Sequence, residues 1–543
     1  MSDDRVAQVL SLHRISPRCY DLSSVRTGSV KDQLVRATLL ADALVKSGII
    51  VVDPDPPDDP DEAAEAAQKK RLLVFGAGVS GIALALTAAE QGADVTVIET
   101  KTYAFGSWGT CNWRTVDPTE YDWPHPHWNQ SKLPAQLPGR PTPPTRPLAL
   151  PPSRASGVGL VTAWTNTHGA ILYSGGAPVA YGNNHGSVCI LYDHDANELS
   201  IDDSAAAIEL ARRDPGDLMM SVSKTMQTPL VRVRTHWNKL PTWVDEPFAA
   251  VVSCIGFGIE ITYEKPPKGH APAWNGFKGH GFWQDDDGMW VNGFKPGPGG
   301  AIPSAILISG SGDGAMQDFQ RATTRLFGLD LYDEILRSVG PGRFTPENAM
   351  LDASLAEDYA RRAHGWRPAG SSLAESFAYW DDQYARAIHE VWTRWTAHEQ
   401  SSVANRVLRP EVLNGLLGLT SSGTRVRWVI REAVPTYSYG LNRFLSMLVV
   451  KLMEHVLRPP IAPVLLLRHQ IAAIAPVAPH TCVGDPQLCY GEKHEVVLTD
   501  LDTNSALPPA PYDVILIRHG QDPAPLLGGA SVPEQQVPFD LPR

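Results

Sequence analysis

Residues 72–99 read LLVFGAGVSGIALALTAAEQGADVTVIE. The opening apolar run suits a buried parallel strand. Gly76, Gly78 and Gly81 follow at the spacing G-x-G-x-x-G, with the small Ala85 four residues further on. The three glycines do different things. Gly76 permits the tight turn, Gly78 lets backbone approach a pyrophosphate, and Gly81 brings helix and strand together. SGIALALTAAEQ is expected to form a helix whose first N–H groups and positive dipole end face phosphate. Gly92 ends that helix and DVTVIE is the next strand. Glu99 lies 23 residues after Gly76, where a carboxylate accepts ribose hydroxyls. The expected dinucleotide set is therefore Gly76, Ala77, Gly78, Ser80, Gly81 and Glu99. A glycine turn kept only for packing is the competing account, and the two strands, the helix and the terminal acid together weigh against it. An acid at Glu99 also disfavours a 2′-phosphate, so FAD or NAD fits better than NADP.

The chain has 543 residues, 43% hydrophobic and 20% charged, which fits a core-forming protein of roughly two to four domains. Its 47 basic against 59 acidic residues give a net charge of −12, without a basic run of the kind nucleic acid requires. MSDDRVAQVL is acidic where a signal peptide would be basic. The most apolar segment, YGLNRFLSMLVVKLMEHVL, carries Arg443, Lys451 and Glu454, and Leu441, Phe444, Leu445, Leu448, Leu452 and Val456 mark one face. A packed amphipathic helix is expected there, not a membrane span. The cysteines at 19, 111, 189, 254, 482 and 489 are scattered, without a C-x-x-C, so reduced thiols and a cytoplasmic location are expected.

Residues 1–52 read as an N-terminal helical segment, with VKDQLVRATLLADALVKSG as its clearest helix and Gly48 as its stop. Residues 53–70 form an acidic, proline-rich linker. Its prolines and missing turn glycine exclude a calcium loop. Between 157 and 260, VGLVTAW, AILYSG, SVCILYD, ELSID and LVRVRTHW are expected as strands. From 320 to 457 the pattern is helical, with Phe377, Trp380, Tyr384, Ile388, Trp392 and Trp395 along one stripe, more often a buried face than a cofactor box. Strands return after 460.

A second strand, glycine turn and helix is expected in AILISGSGDGAMQDFQRAT, residues 305–323. Gly310, Gly312 and Ala315 match G-x-G-x-x-A, with an extra Gly314. Asp313 in that turn would repel a pyrophosphate, and no second strand ending in an acid follows about twenty residues on. Gly310, Gly312 and Gly314 are thus either a nucleotide site or a structural turn.

The order of these parts resembles the two-dinucleotide-domain flavoproteins, the group that holds glutathione-reductase-like enzymes and flavin monooxygenases. TKTYAFGSWGT after Glu99 is similar to the G-G-x-W segment those monooxygenases place against FAD, with Gly106-Ser107-Trp108 in its place. FAAVVSCIGFG, 248–258, stands where the group has a strand ending Ala-Thr-Gly. HQIAAIAPV, HEVVLTDLD and PYDVILIRHG look like its strand meander and closing strand. The resemblance covers roughly 70–330 and 460–520 and implies an α/β fold. An FAD-binding Rossmann-type domain (71–260) is followed by a second Rossmann-like domain starting at 261–319. A large α-helical insertion (320–457) and return strands with a C-terminal tail (458–543) complete it. It adds Ser107 and Trp108 to the cofactor set, and brings FAD with NAD(P)H as a candidate reductant.

The loop CNWRTVDPTEYDWPHPHW, 111–128, would then wall the flavin. Arg114 is the candidate for a substrate carboxylate, with Trp123, His125 and His127 beside it; a rigid surface loop is the plain alternative. Cys111 and two histidines make no recognisable metal set, and a lone Cys111 excludes dithiol chemistry. The expected function is FAD-dependent oxidoreduction of a small organic substrate, monooxygenase- or reductase-like. The alternatives are a peroxide-producing amine or amino-acid oxidase, and a flavoprotein-like sensor or binding module. A homo-oligomer or protein partner would dock through the N-terminal helices.

Overall fold

The computed structural model describes residues 3–16, 18–23, 30–52, 57–106, 154–193, 244–256, 260–264, 273–283, 302–350, 371–419, 423–435, 438–459, 463–477 and 493–520. Short pieces near 109–116, 123–124 and 147–150, and strands between 199 and 235, complete it. Two parallel sheets organise the chain, each built on one of the glycine turns.

The first sheet has seven strands in the order Arg14–Ser16, Cys19–Asp21, Ala250–Ser253, Arg71–Phe75, Asp94–Ile98, Gly186–Leu191 and Val179–Tyr181. The five central strands are parallel, and the outermost strand at each edge is antiparallel. Arg71–Phe75 reads RLLVF and is buried from Leu72 to Phe75, as a strand covered on both faces must be. The helix Val79–Glu90 is buried from Gly81 to Ala89 because its alanines let it lie close to the sheet.

Residues 1–52 are tied into this sheet. They are helical over Asp3–His13 and Val30–Lys46, and they also give it two strands. The helix Val30–Lys46 packs Ala37, Leu40, Ala41, Ala43 and Leu44, all fully buried, into the core shared with Val79–Glu90. Its apolar face is thus covered by the chain itself. The stretch expected as linker is helical over Pro60–Lys69. Asp59 caps it by accepting from the N–H groups of Asp61 and Glu62, and proline holds the first position, where its missing N–H costs nothing.

Residues 157–175 correct the expected strands VGLVTAW and AILYSG. They form the helix Gly157–Leu172, capped by Ser156, whose hydroxyl accepts from Gly159 N–H. The buried residues Leu160, Trp164, His168 and Ile171 recur at helical steps. SVCILYD and LVRVRTHW do give strands, Gly186–Leu191 and Val231–Thr235. A separate antiparallel sheet holds Leu199–Ser200, Ile208–Leu210, Leu218–Val222, Val231–Thr235 and Val244–Phe248.

The second sheet runs Leu465–Leu467, Arg425–Ile430, Ala305–Ser309, Val514–Ile517, all parallel. Its second strand lies inside the segment expected to be mostly helical, more than a hundred residues after the glycine turn, and is followed by Arg431 and Glu432. The helices between, including Gly328–Val339, Ser371–Thr393 and Ala397–Val407, share one core with Asp313–Thr324 and Gly440–Val456. Tyr384, Ile388 and Trp395 of the aromatic stripe are buried in it. In Gly440–Val456 the side chains of Leu441, Phe444, Leu445, Leu448 and Leu452 are fully buried. No helix of the described residues is long and apolar enough to cross a membrane. The antiparallel strands His469–Pro476, His494–Asp500, Ser505–Ala506 and Ala510–Tyr512 form the expected meander before Val514–Ile517 closes the sheet.

Candidate functional site

The first glycine turn starts at Gly76, whose φ of +95° places it in the left-handed region. A Cβ there would lie 2.4 Å from the Cys254 carbonyl oxygen, and one on Gly81 would lie 1.9 Å from the Gly76 oxygen. Both glycines are therefore demanded by packing. Gly78 differs: its φ is negative and a Cβ would meet nothing within 4 Å among the described residues. It is also the N-cap of Val79–Glu90 with no side-chain cap, so the first N–H groups of the helix, Ser80's included, have no intrahelical partner.

Glu99 closes the turn from the neighbouring strand. Its Oε2 accepts from Ala77 N–H at 2.7 Å, and its Oε1 accepts from Lys101 N–H at 2.9 Å and the Thr100 hydroxyl at 3.2 Å. An ionised carboxylate offers about four acceptor sites, so capacity for a ribose hydroxyl remains. The segment after Glu99 folds back on the turn, with Phe105 N–H donating to the Ala77 oxygen at 2.9 Å and the Phe105 ring packed on Trp164. The glycines, the uncapped helix and Glu99 fit the diphosphate and ribose of a dinucleotide. Ser107 and Trp108, on the same segment, lie outside the described residues.

At the second turn Gly310 has φ +142°, and a Cβ would lie 2.1 Å from the Arg518 oxygen. Gly312 is again an N-cap without a side-chain cap, here of Asp313–Thr324. The surroundings are fuller. A Cβ on Gly314 would lie 3.1 Å from the Phe282 ring and 3.6 Å from Arg518 Cδ. The Asp313 carboxylate accepts from Tyr439 N–H at 2.9 Å and Asn442 Nδ2 at 3.1 Å. It serves the N-terminus of the neighbouring helix Gly440–Val456, which explains an acid in a glycine turn.

The candidate substrate residues are placed differently from one another. Arg114 is 1% exposed, and the carboxylate it holds is the chain's own Asp318. Its guanidinium lies 4.3 Å from the centre of the Phe282 ring. Arg518, also buried, donates from Nε to Asp318 Oδ2 at 2.7 Å and from Nη1 to the His280 oxygen at 2.6 Å. Burial alone would raise the Asp318 carboxyl, but Arg114 and Arg518 outweigh it and hold it at about 2. Glu260, 3.7 Å from Arg518, is pushed up by burial against the pull of that guanidinium. This network joins the loop after the first turn to the helix after the second. In the sequence Arg518 is only a residue of the closing strand PYDVILIRHG and Asp318 carries no signal, because pairing across about two hundred residues leaves no local pattern.

Trp123 is 4% exposed and acts as a peg in the second core, 5.3 Å from Phe444, with its Nε1 donating to Glu347 at 3.4 Å. The same Glu347 accepts from the Tyr332 hydroxyl. His125 and His127 lie outside the described residues. Burial pushes the Cys254 thiol well above the usual range. Among the described residues no group of three or more His, Cys, Asp or Glu is placed to hold a metal.

No curated protein matches the sequence. Solved structures overlap it at low similarity. A thioredoxin reductase from Lactococcus lactis is 9% identical, with a TM-score of 0.31, covering 84% of this chain and 79% of that one. DfoA, the desferrioxamine-pathway cadaverine monooxygenase of Erwinia amylovora solved with FAD, is 12% identical at 0.32, covering 83% and 78%. The bacillithiol disulfide reductase of Bacillus cereus is 8% identical at 0.32, covering 83% and 78%. Scores of that size identify neither fold nor chemistry. The end of the strand Arg71–Phe75, the glycine turn, Glu99 and the segment after it fall within residues 74–132, and those residues match the family of NAD(P)-binding Rossmann-like domains.

Proposed function

We propose that the protein is an FAD-dependent oxidoreductase acting on a small organic substrate, with NAD(P)H as reductant. The observation that carries this is the first turn: an uncapped helix start and room at Gly78, with Glu99 fixed by Ala77 N–H beside them. Bound flavin would supply the electron-transfer chemistry. The chain's part is to bind and orient it. The N–H groups from Gly78 to Gly81 hold the diphosphate, Glu99 accepts from the ribose, and the Phe105 segment shields the turn. Glu99 followed by that segment favours FAD over NAD at this turn.

A second reading has its own support. Phe282 and Arg518 crowd Gly314, and Asp313 adds a negative charge to the second turn. These features favour a nicotinamide-independent oxidase, in which the substrate itself reduces the flavin and oxygen takes the electrons as peroxide. The ultraviolet-visible spectrum of the purified protein, with mass spectrometry of the released ligand, tests the shared part. Flavin bands and released FAD are expected; a colourless protein that takes up no added flavin overturns both readings. Anaerobic bleaching by NADH or NADPH, against bleaching by amines or amino acids, separates them.

A further inference from the structure

After Phe75 the chain steps outward through Asp94–Ile98 and Gly186–Leu191, then returns on the opposite side of Arg71–Phe75 as Ala250–Ser253. Such a reversal of order leaves a crevice over the carboxyl ends of the strands, where ligands of open α/β sheets bind. Glu99 occupies one side of the glycine turn. A molecule gripped at its diphosphate and by Glu99 must extend its other half to the other side, over Cys254, Ile255 and Gly256. The next strand in that direction is Cys19–Asp21, from the N-terminal segment.

Asp21 is in register with Ser253, and Ser253 with Phe75, so the three strands end level with the turn. From Ile98 to Asp21 the crevice spans three strand spacings, roughly 14 Å. Leu22 N–H donates to the Ser253 oxygen at 2.9 Å, and Ser23 N–H to Asp21 Oδ1 at 2.7 Å, which fixes the backbone leaving this strand. Ile255 is 41% exposed at the same edge. Two hydroxyls here, Ser23 Oγ and Ser253 Oγ, and the His13 Nε2 nitrogen are buried without a hydrogen-bond partner among the described residues. Buried polar atoms are seldom left so.

We propose that the N-terminal segment forms part of the coenzyme site, Leu22 and Ser23 at the end of the strand Cys19–Asp21 receiving the half of the dinucleotide beyond its diphosphate, with the Ser23 hydroxyl as a contact. This rests on the coenzyme being gripped at the first glycine turn. ADP, which carries only the adenosine and diphosphate half, separates the two claims when its dissociation constant is measured beside that of FAD on the full-length chain. The variants Ser23→Phe and Ser23→Ala are compared with the unaltered protein. Ser23→Phe is expected to weaken FAD at least tenfold and Ser23→Ala several-fold, with ADP within twofold in both. Unchanged FAD binding in both variants, or an equal loss of ADP, overturns the placement of Ser23. Failure of the unaltered protein to bind either probe overturns the first-turn reading beneath it. Gly78→Asp, expected to weaken both about a hundredfold, confirms that the two probes report one site.

Discussion

At the first glycine turn a Cβ on Gly78 would meet nothing within 4 Å among the described residues, whereas at the second a Cβ on Gly314 would lie 3.1 Å from the Phe282 ring. The two turns share their backbone logic: Gly76 and Gly310 both have positive φ, and both press against the carbonyl of a neighbouring chain segment. They differ in what faces the helix start. The first has room at Gly78 among the described residues, with an acid held to one side. The second is lined by Phe282 and Arg518, and its own Asp313 is engaged by another helix. A strand–glycine–helix pattern thus reports how closely backbone must pack, and the side chains around it decide whether a ligand has room.

The largest expected effect comes from the buried network that links the two regions. Asp318→Ala leaves Arg114 and Arg518 without their carboxylate inside the protein, which should cost about 3–5 kcal/mol. Urea unfolding reads this directly, and a loss below about 1 kcal/mol would show that the guanidiniums find other partners.

Gly78→Asp tests the openness of the first turn. Its backbone, φ −74° and ψ −173°, already suits a capping residue, so stability should hold or rise by a few tenths of a kcal/mol. The new carboxylate would occupy the N–H groups and repel a diphosphate, so FAD affinity should fall about a hundredfold, near 2.7 kcal/mol. Lost stability with retained affinity would reverse the comparison.

Acid should loosen the two regions in sequence. Burial, with the Arg36 charge, holds His13 of the first region down at about 3, from an ordinary 6.5. The unfolded chain binds the proton more readily, so stability conferred above 6.5 is lost as pH falls from there toward 3. The slope is about 1.4 kcal/mol per pH unit. Asp318 of the second region, at about 2 against 3.8, gives stability above 3.8 that is lost only as pH falls toward 2. Urea midpoints measured between pH 6.5 and 4.5 should decline, and His13→Gln should flatten the decline. An unchanged slope in the variant would assign the effect elsewhere.

The smallest effect belongs to Asp313. Asp313→Ala removes the acceptor at the start of Gly440–Val456 and should cost about 1 kcal/mol. If Asp313 also keeps phosphate away, NADPH affinity measured by fluorescence titration should rise in Asp313→Asn; no change would leave Phe282 and Arg518 as the barrier.

Much of this was legible from local pattern. The strands and helices at both turns, the acid at Glu99 and the amphipathic face from Leu441 to Leu452 all follow from spacing. Residues 157–172 misled because glycines and valines mimic strand composition, while their period emerges only from Leu160, Trp164 and His168. The strand Arg425–Ile430 was hidden by its distance from the turn it serves. The Arg114–Asp318–Arg518 network and the place of Cys19–Asp21 beside Ala250–Ser253 were invisible, since each depends on pairing between segments some two hundred residues apart.

The strand Cys19–Asp21 has one parallel partner, and that partner is not synthesised until residue 253. At the roughly 5–20 residues per second of translation, it waits on the order of ten to fifty seconds with that edge bare. The apolar face of Val30–Lys46 must also wait, though less long, for Val79–Glu90. During that interval the nascent chain is a natural client for chaperones that shield sticky segments, and slower decoding of the stretch between would lengthen its exposure to aggregation.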